Sequence, residues 1–174
     1  MLEFEHFEQT ITKLTVTEYN QCVDNYSDSL YRFILKHIKD VDIAKDIVQD
    51  TYEKVWRKVN DIESTNAKSY LFTAAHHTLV DYTRKAKKQG DYNEVVENTL
   101  QHNKHYSDIK EVLNQALDKL PEIQKSVVLL RDYEGYDYAE IGKITNLTES
   151  QVKVYIFRAR AFLKNYIGKL EVVI

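Results

Sequence analysis

The sequence predicts an all-α protein of two small helical domains joined by a flexible linker, the C-terminal one with a helix-turn-helix. Only four glycines and one proline occur in 174 residues, whereas a β-rich fold needs more turn-forming residues. Apolar residues recur every three to four positions along several long stretches, which is the spacing of an amphipathic helix. Residues 89–107 are polar and lack this period, so they predict the linker.

Composition constrains the cellular location of the chain and the way in which it can bind nucleic acid. Its single cysteine excludes a disulfide within one chain. No apolar run approaches the ~20 residues that cross a bilayer, and the N-terminus is acidic rather than signal-like. These features predict a cytoplasmic protein without membrane insertion. The net charge of -3 is unusual for an independent DNA-binding protein, because protein cations supply most non-specific affinity for phosphates.

The first helical domain is predicted over residues 18–88, after an N-terminal extension, 1–17, to which the sequence assigns no function. Thr15, followed three residues later by Glu18, has the pattern of a capping box and starts the first helix. Cys22 lies in the apolar stripe of this helix and is interpreted as a small core residue.

A second helix begins near Asp40 and has two unlike faces. Its apolar face ends at Trp56, which is interpreted as a core residue. Its opposite face carries five side chains that share one stripe, the acidic stripe: Asp42, Asp46, Gln49, Asp50 and Glu53. Two interpretations stay open, a solvated face near a helix N-terminus or a docking surface for a basic or amide-rich partner.

A third helix, from about residue 67 to 88, ends in a cluster of cations. Cations at a helix C-terminus interact favourably with the macrodipole. Four within five positions exceed that need and indicate phosphate contacts: Arg84, Lys85, Lys87 and Lys88.

His76, His77 and Asp81 in the third helix raise the alternative of a small hydrolase. Adjacent helical residues point about 100° apart, so the two histidines cannot readily bind one ion. The chain also offers no glycine-rich phosphate loop and no nucleophile elbow. The sequence therefore favours a protein with no enzymatic activity, cofactor or metal.

The C-terminal domain, residues 108–174, contains two helix start signals eleven residues apart, the spacing of a helix-turn-helix. Each start is a capping-box pair, Asp137 with Glu140 and Thr148 with Gln151. Asn146 lies at the corner between them, where its short polar side chain tolerates positive φ.

The last helix has a packed face and a basic face. The packed face follows helical spacing: Val152, Ile156, Ala159, Leu163 and Tyr166. From Glu149 to Lys169 there are five basic residues and one acidic residue. The exposed face combines cations with planar side chains, as a major-groove recognition helix does, although a solvated basic helix has the same pattern.

Taken together, these segments resemble the extracytoplasmic-function (ECF) sigma factors of bacterial RNA polymerase. The segments at 42–56, DIAKDIVQDTYEKVW, and 69–85, SYLFTAAHHTLVDYTRK, are similar to the second region of that family. Residues 120–160, from LPEIQ to FRAR, are similar to its fourth region. Two matches in family order, separated by a polar linker, are highly specific.

The resemblance implies a sigma factor that binds core RNA polymerase and directs promoter recognition, DNA melting and transcription initiation. It implies that the acidic stripe docks on the clamp helices of the polymerase, and that polymerase supplies much of the DNA affinity, which accounts for the negative net charge. An anti-sigma factor is a further partner implied by the family.

By the same resemblance, residues 18–88 bind core polymerase and the minus-ten element, and residues 108–174 bind the minus-thirty-five element. The implied minus-ten contacts are Asp61, Ser64, Asn66, Tyr70, His76, His77, Arg84, Lys85, Lys87 and Lys88. The implied minus-thirty-five contacts are Thr148, Ser150, Gln151, Lys153, Tyr155, Phe157 and Arg158.

Several residues depart from the family pattern. Tyr70 replaces a usual tryptophan, His76 and His77 replace an Arg-Asn pair, and Tyr155 replaces a frequent arginine. The main alternative is a helix-turn-helix regulator that binds DNA without polymerase. It would need a more basic surface or a dimer matching two half-sites.

Overall fold

The computed structural model describes residues 12–89 and 107–171, so all but the ends of the predicted linker lies outside the described residues. These two ranges form α-helices joined by short connections, which confirms the predicted all-α class. No helix within them is long and apolar enough to cross a membrane. The helices are α1 (Val16–Ile38), α2 (Val41–Trp56), α3 (Ala67–Gln89), α4 (Ser107–Asp118), α5 (Glu122–Asp132), α6 (Tyr138–Thr145) and α7 (Glu149–Glu171).

Three helices begin as the sequence predicts. Each of these starts is a capping box of two residues. The side-chain oxygen of the first accepts a hydrogen bond from the backbone N–H of the second, three residues later, and the side chain of the second accepts one from the backbone N–H of the first. These hydrogen bonds are 2.7–3.2 Å long and satisfy N–H groups that a helix start leaves unpaired. The pairs are Thr15 with Glu18, Asp137 with Glu140, and Thr148 with Gln151.

The corner between α6 and α7 depends on two residues. Asn146 has φ 57° in the left-handed region, as predicted, and ends α6. The Leu147 N–H donates to the Gly142 carbonyl at 2.9 Å. A Cβ on Gly142 would lie 2.7 Å from the Leu147 carbonyl oxygen, so only glycine allows the chain to turn this closely.

The helices form two lobes that share one core. α1, α2 and α3 make the first lobe, and α4 to α7 make the second. α3 packs against α6, and Phe72 meets Tyr136 edge-on with ring centroids 5.4 Å apart. Buried apolar residues of both lobes join into one cluster. The sequence predicts two domains on a linker but not this direct packing of one against the other.

Polar contacts reinforce the packing between the lobes. His37 is buried, and its ring nitrogens lie 2.8 Å from the Phe33 carbonyl and 3.0 Å from the Ser126 hydroxyl. Since a carbonyl only accepts, Nδ1 carries the proton and the Ser126 hydroxyl donates to Nε2. Lys39 forms an ion pair of 2.5 Å with Asp118 across the same boundary.

Two single residues test the predicted core. Cys22 is half-buried and packs against the core as expected, and burial raises the pKa of its thiol. Trp56 is 44% exposed, so its assignment to the core is wrong. Its ring lies 5.0 Å from the ring of Tyr19 at the surface, where α1 and α2 meet.

Candidate functional surfaces

The acidic stripe runs along the solvent side of α2, and all five of its side chains are exposed. Ala44, Ile47 and Thr51 are buried on the opposite side, which fixes the orientation of the helix. Within the described ranges Asp42 pairs with Lys45 at 3.9 Å and Glu53 with Arg57 at 2.5 Å, whereas Asp46 and Asp50 form no ion pair. Two carboxylates one turn apart are thus presented to solvent without a compensating cation.

The connection between α2 and α3 contains two short 3-10 helices, Val59–Asp61 and Ser64–Asn66. Of the predicted minus-ten residues in it, Asp61 and Asn66 are exposed and Ser64 is half-buried. The Ser64 hydroxyl donates to Glu18 at 3.2 Å. The connection therefore presents polar side chains while it is tied to α1.

A groove of about 320 Å³ lies between the end of α2 and the middle of α3. Tyr70 and His77 line it, and Lys54 crosses it to donate to the Thr78 hydroxyl at 2.9 Å. The cations at the end of α2 were not predicted as part of this surface, although their spacing of three and four residues beside Trp56 was a usable signal. The lining residues are Lys54, Arg57, Lys58, Tyr70, Ala74, His77 and Thr78.

His76 does not share the surface of His77. It is 5% exposed, and its Nδ1 has no hydrogen-bond partner among the described residues. Burial lowers its pKa from 6.5 to about 4, so the ring is neutral at pH 7. In the packed lobes His76 does not line the groove, whereas His77 does.

The hydrolase alternative finds no assembled site in the described ranges. The His76 and His77 rings have centroids 6.1 Å apart and planes inclined by 59°. Asp81 instead pairs with Arg84 at 2.9 Å. No group of three or more histidine, cysteine, aspartate or glutamate side chains there is placed to hold a metal ion.

The exposed end of α3 carries the predicted basic cluster. All four cations are exposed, and Arg84 is the one that pairs with Asp81. The cluster lies on the same helix as the groove residues Tyr70 and His77, beyond them toward the C-terminus of α3. A negatively charged strand crossing the groove can therefore continue onto this cluster.

The outward face of α7 is the second surface. Phe157 is 74% exposed, and Arg158 is exposed and forms no ion pair with any described residue. Lys153 pairs with Glu149 at 2.8 Å, and this hydrogen bond raises the pKa of its ammonium. Tyr155 is half-buried against the core, so it offers less of its ring than the sequence indicates.

Other residues in α7 and at its start have structural partners. Thr148 and Gln151 are exposed but form the capping box at the start of the helix. Arg160 is bound by Asp132 of α5, and this hydrogen bond raises the pKa of its guanidinium. Of the predicted minus-thirty-five residues, Lys153, Phe157 and Arg158 are therefore exposed on α7 outside the capping box.

Comparisons with known proteins agree with this division into surfaces. The family model of Sigma-70 region 2 matches residues 22–89, and that of Sigma-70 region 4 matches residues 110–163. The ECF RNA polymerase sigma factor SigM of Bacillus subtilis is 31% identical over 144 residues, which cover 80% of this chain and 88% of SigM. The chain belongs to the ECF sigma factors. It is thus an RNA polymerase sigma factor, as the sequence resemblance indicates.

Further relatives cover nearly the whole sigma factor. SigV of Bacillus subtilis is 30% identical over 164 residues, covering 92% of this chain and 95% of SigV. The co-crystal structure of the sigma factor RpoE with the anti-sigma factor NepR from Bartonella quintana matches with a TM-score of 0.75 and 26% identity. That match covers 88% of this chain and 98% of RpoE.

Proposed function

We propose that this sigma factor binds core RNA polymerase through the acidic stripe of α2. The observation that carries the proposal is the pair of exposed carboxylates, Asp46 and Asp50, that no described cation compensates. Repulsion between them costs energy in the free protein, and a basic or amide-rich partner relieves it. Residues 18–88 would then form the polymerase-binding and minus-ten-binding domain.

The groove between α2 and α3 is the proposed binding site for the single-stranded DNA of the melted minus-ten element. Single-stranded DNA is bound by cations that follow its backbone and by aromatic faces that stack on its bases. Lys54, Arg57 and Lys58 supply the first, and Tyr70 and His77 supply the second. Asp61, Ser64 and Asn66 add polar groups at the neighbouring connection, where base edges can be read.

The outward face of α7 is the proposed reader of the minus-thirty-five element, within a domain spanning residues 108–174. A helix N-terminal half placed in the major groove brings its exposed side chains to base edges. Arg158 can donate two hydrogen bonds to guanine, and Phe157 can contact a thymine methyl group. Lys153 lies one turn away, where a phosphate contact is suited to its ammonium.

We also propose an anti-sigma factor as a regulatory partner, because the RpoE neighbour was solved in complex with one. Because core RNA polymerase is the proposed principal partner, we propose that this protein acts in the cytoplasm. This partnership also gives the chain a role in positioning polymerase and DNA rather than in catalysis.

The direct test is to mix the full chain with bacterial core RNA polymerase, isolate the complex by size exclusion and transcribe genomic fragments. Co-elution with new, discrete start sites is the expected result. Stable binding of the chain to a duplex site without polymerase, and no co-elution, would instead establish the independent regulator.

A further inference from the structure

We propose that the N-terminal segment, residues 12–15, positions the connection between α2 and α3 and so sets the selectivity of minus-ten recognition. The proposal rests on the proposed role of that connection in reading the minus-ten element. It assigns a function to part of the extension that the sequence left without one.

Backbone pairing joins the N-terminal segment to the connection. The Leu14 N–H donates to the Ile62 carbonyl at 2.8 Å, and the Ser64 N–H donates to the Thr12 carbonyl at 3.0 Å. Lys13 and Glu63 thereby form an isolated antiparallel bridge. This bridge thus ties the N-terminal segment to the connection, which lies about fifty residues later in the sequence.

An apolar contact fixes the register of this pairing. Leu14 is 3% exposed and belongs to the same core cluster as Ile62 and Val59 of the connection. Neighbouring residues 12, 13, 15 and 16 are exposed. Because strand side chains alternate between faces, a slip by one residue would expose Leu14 and bury a polar neighbour.

One carboxylate completes the attachment. Glu18 accepts from the Thr15 N–H at 2.8 Å and from the Ser64 hydroxyl at 3.2 Å. Charge-assisted hydrogen bonds are the stronger ones, and those from Thr15, together with the one from Ser64, lower the pKa of Glu18. Lys13 Nζ adds a hydrogen bond of 3.3 Å to the Asp61 carbonyl. The group that caps α1 therefore also holds the connection.

Besides the N-terminal segment, the connection is held by Val59 and Ile62 in the core and by local hydrogen bonds such as that from Asn66 to Glu63 at 2.6 Å. Neither of its 3-10 helices has a side-chain cap, and such helices have weaker hydrogen-bond geometry than α-helices. Its proposed DNA-reading side chains, Asp61 and Asn66, lie on the exposed side. Recognition groups must be held to within about 0.5 Å by their supporting residues, and the N-terminal segment provides that support.

The test uses Leu14→Ala in the full chain, with Leu14→Met as the conservative variant and Val16→Ala as the exposed neighbour. Hydrogen exchange is measured for the amides of residues 59–66. We expect faster exchange there in Leu14→Ala, near-normal exchange in Leu14→Met, and no change in Val16→Ala or in α7.

The same variants are then assayed with core polymerase on promoters that differ by single minus-ten substitutions. We expect Leu14→Ala to lower the preference for the best minus-ten sequence by about tenfold, within the range that one mismatched base pair produces. A merely lower folded fraction reduces transcription from all promoters equally and leaves this preference unchanged. Leu14→Val, with a smaller cavity, replaces Leu14→Ala if that variant does not fold.

Two results separate the proposals. An unchanged preference with unchanged exchange overturns the positioning role of the N-terminal segment. Failure of the unmodified chain to start transcription at discrete sites overturns the proposed function, whereas the exchange measurement still reports whether the segment holds the connection.

Discussion

Arg158 and Arg160 lie two residues apart on α7, but we expect different roles for them: Arg158 contacts DNA, and Arg160 holds α7 against α5. Arg158 is exposed and has no ion pair among the described residues, whereas Asp132 binds Arg160. We expect Arg158→Ala to weaken promoter-specific transcription by about 1–3 kcal/mol through loss of a base contact. Arg160→Ala should instead loosen the packing of α7 on α5. Transcription from promoters permuted in the minus-thirty-five element measures the first effect, and thermal unfolding the second.

The contrary result for Arg158 has a definite meaning. If Arg158→Ala lowered activity equally on all permuted promoters and reduced the salt dependence, Arg158 would be a phosphate contact.

Single residues were predictable where their role is local. The capping boxes and the left-handed Asn146 follow from interactions within a few residues. Helical spacing does not decide between core and surface at the border of an apolar stripe. Trp56, predicted in the core, is exposed, and the burial of His76 was not predicted. The pairing of Leu14 with Ile62 joins distant parts of the chain, and no local pattern indicates it.

At the scale of the element, the acidic stripe makes a prediction about α2. The double variant Asp46→Lys/Asp50→Lys should abolish co-elution with core polymerase, because it reverses the charge that meets the partner. Asp24→Lys/Asp28→Lys is the matched control, since these two aspartates are also exposed and one turn apart, on α1. Circular dichroism should show unchanged helical content in both. If the double variant and the control bound polymerase equally well, the acidic stripe would be only a solvated helix face.

The helix-turn-helix corner makes a second prediction at this scale. Gly142→Ala should destabilise the second lobe, although alanine favours a helix interior by about 1 kcal/mol. The added Cβ would lie 2.7 Å from a backbone oxygen, which cannot move aside cheaply. Gly168→Ala in α7 meets nothing within 4 Å and should stabilise by up to about 1 kcal/mol. Thermal unfolding of the two variants should shift in opposite directions, and a shared upward shift would contradict the close corner.

At the scale of the whole molecule, the roles proposed for α3 and α7 require the packed lobes to separate. The two elements are about 25 base pairs apart, which is about 85 Å along B-DNA. α3 packs against α6, which packs against α7. If α3 and α7 bind the elements proposed for them, these helices must therefore move apart. The acidic stripe and the outward face of α7 both remain exposed while the lobes are packed. Polymerase can therefore bind the closed chain first, and opening can follow.

His37 is buried against Ser126 of the second lobe, so we expect separation of the lobes to expose it and to depend on pH. Burial, followed by the nearby Lys125, lowers the pKa of His37 from 6.5 to about 3 in the packed lobes. Lys125 and His76 destabilise the protonated His37 ring. The Phe33 carbonyl and Asp118 stabilise the protonated ring, but by less. The packed state therefore requires a neutral ring, whereas a solvated ring in separated lobes protonates near its ordinary pKa.

The sign of the pH effect follows from this difference. Above pH 6.5 the His37 ring is neutral in both states, and the packed state has its full stability relative to the open state. As the pH falls below 6.5, the ring binds a proton in the open state only, which favours opening. The open fraction should rise by at most about tenfold per pH unit, as measured by fluorescence energy transfer between dyes on exposed residues of the two lobes. His37→Gln, which does not titrate, should remove this dependence. An unchanged slope in His37→Gln would show that another group couples proton binding to opening.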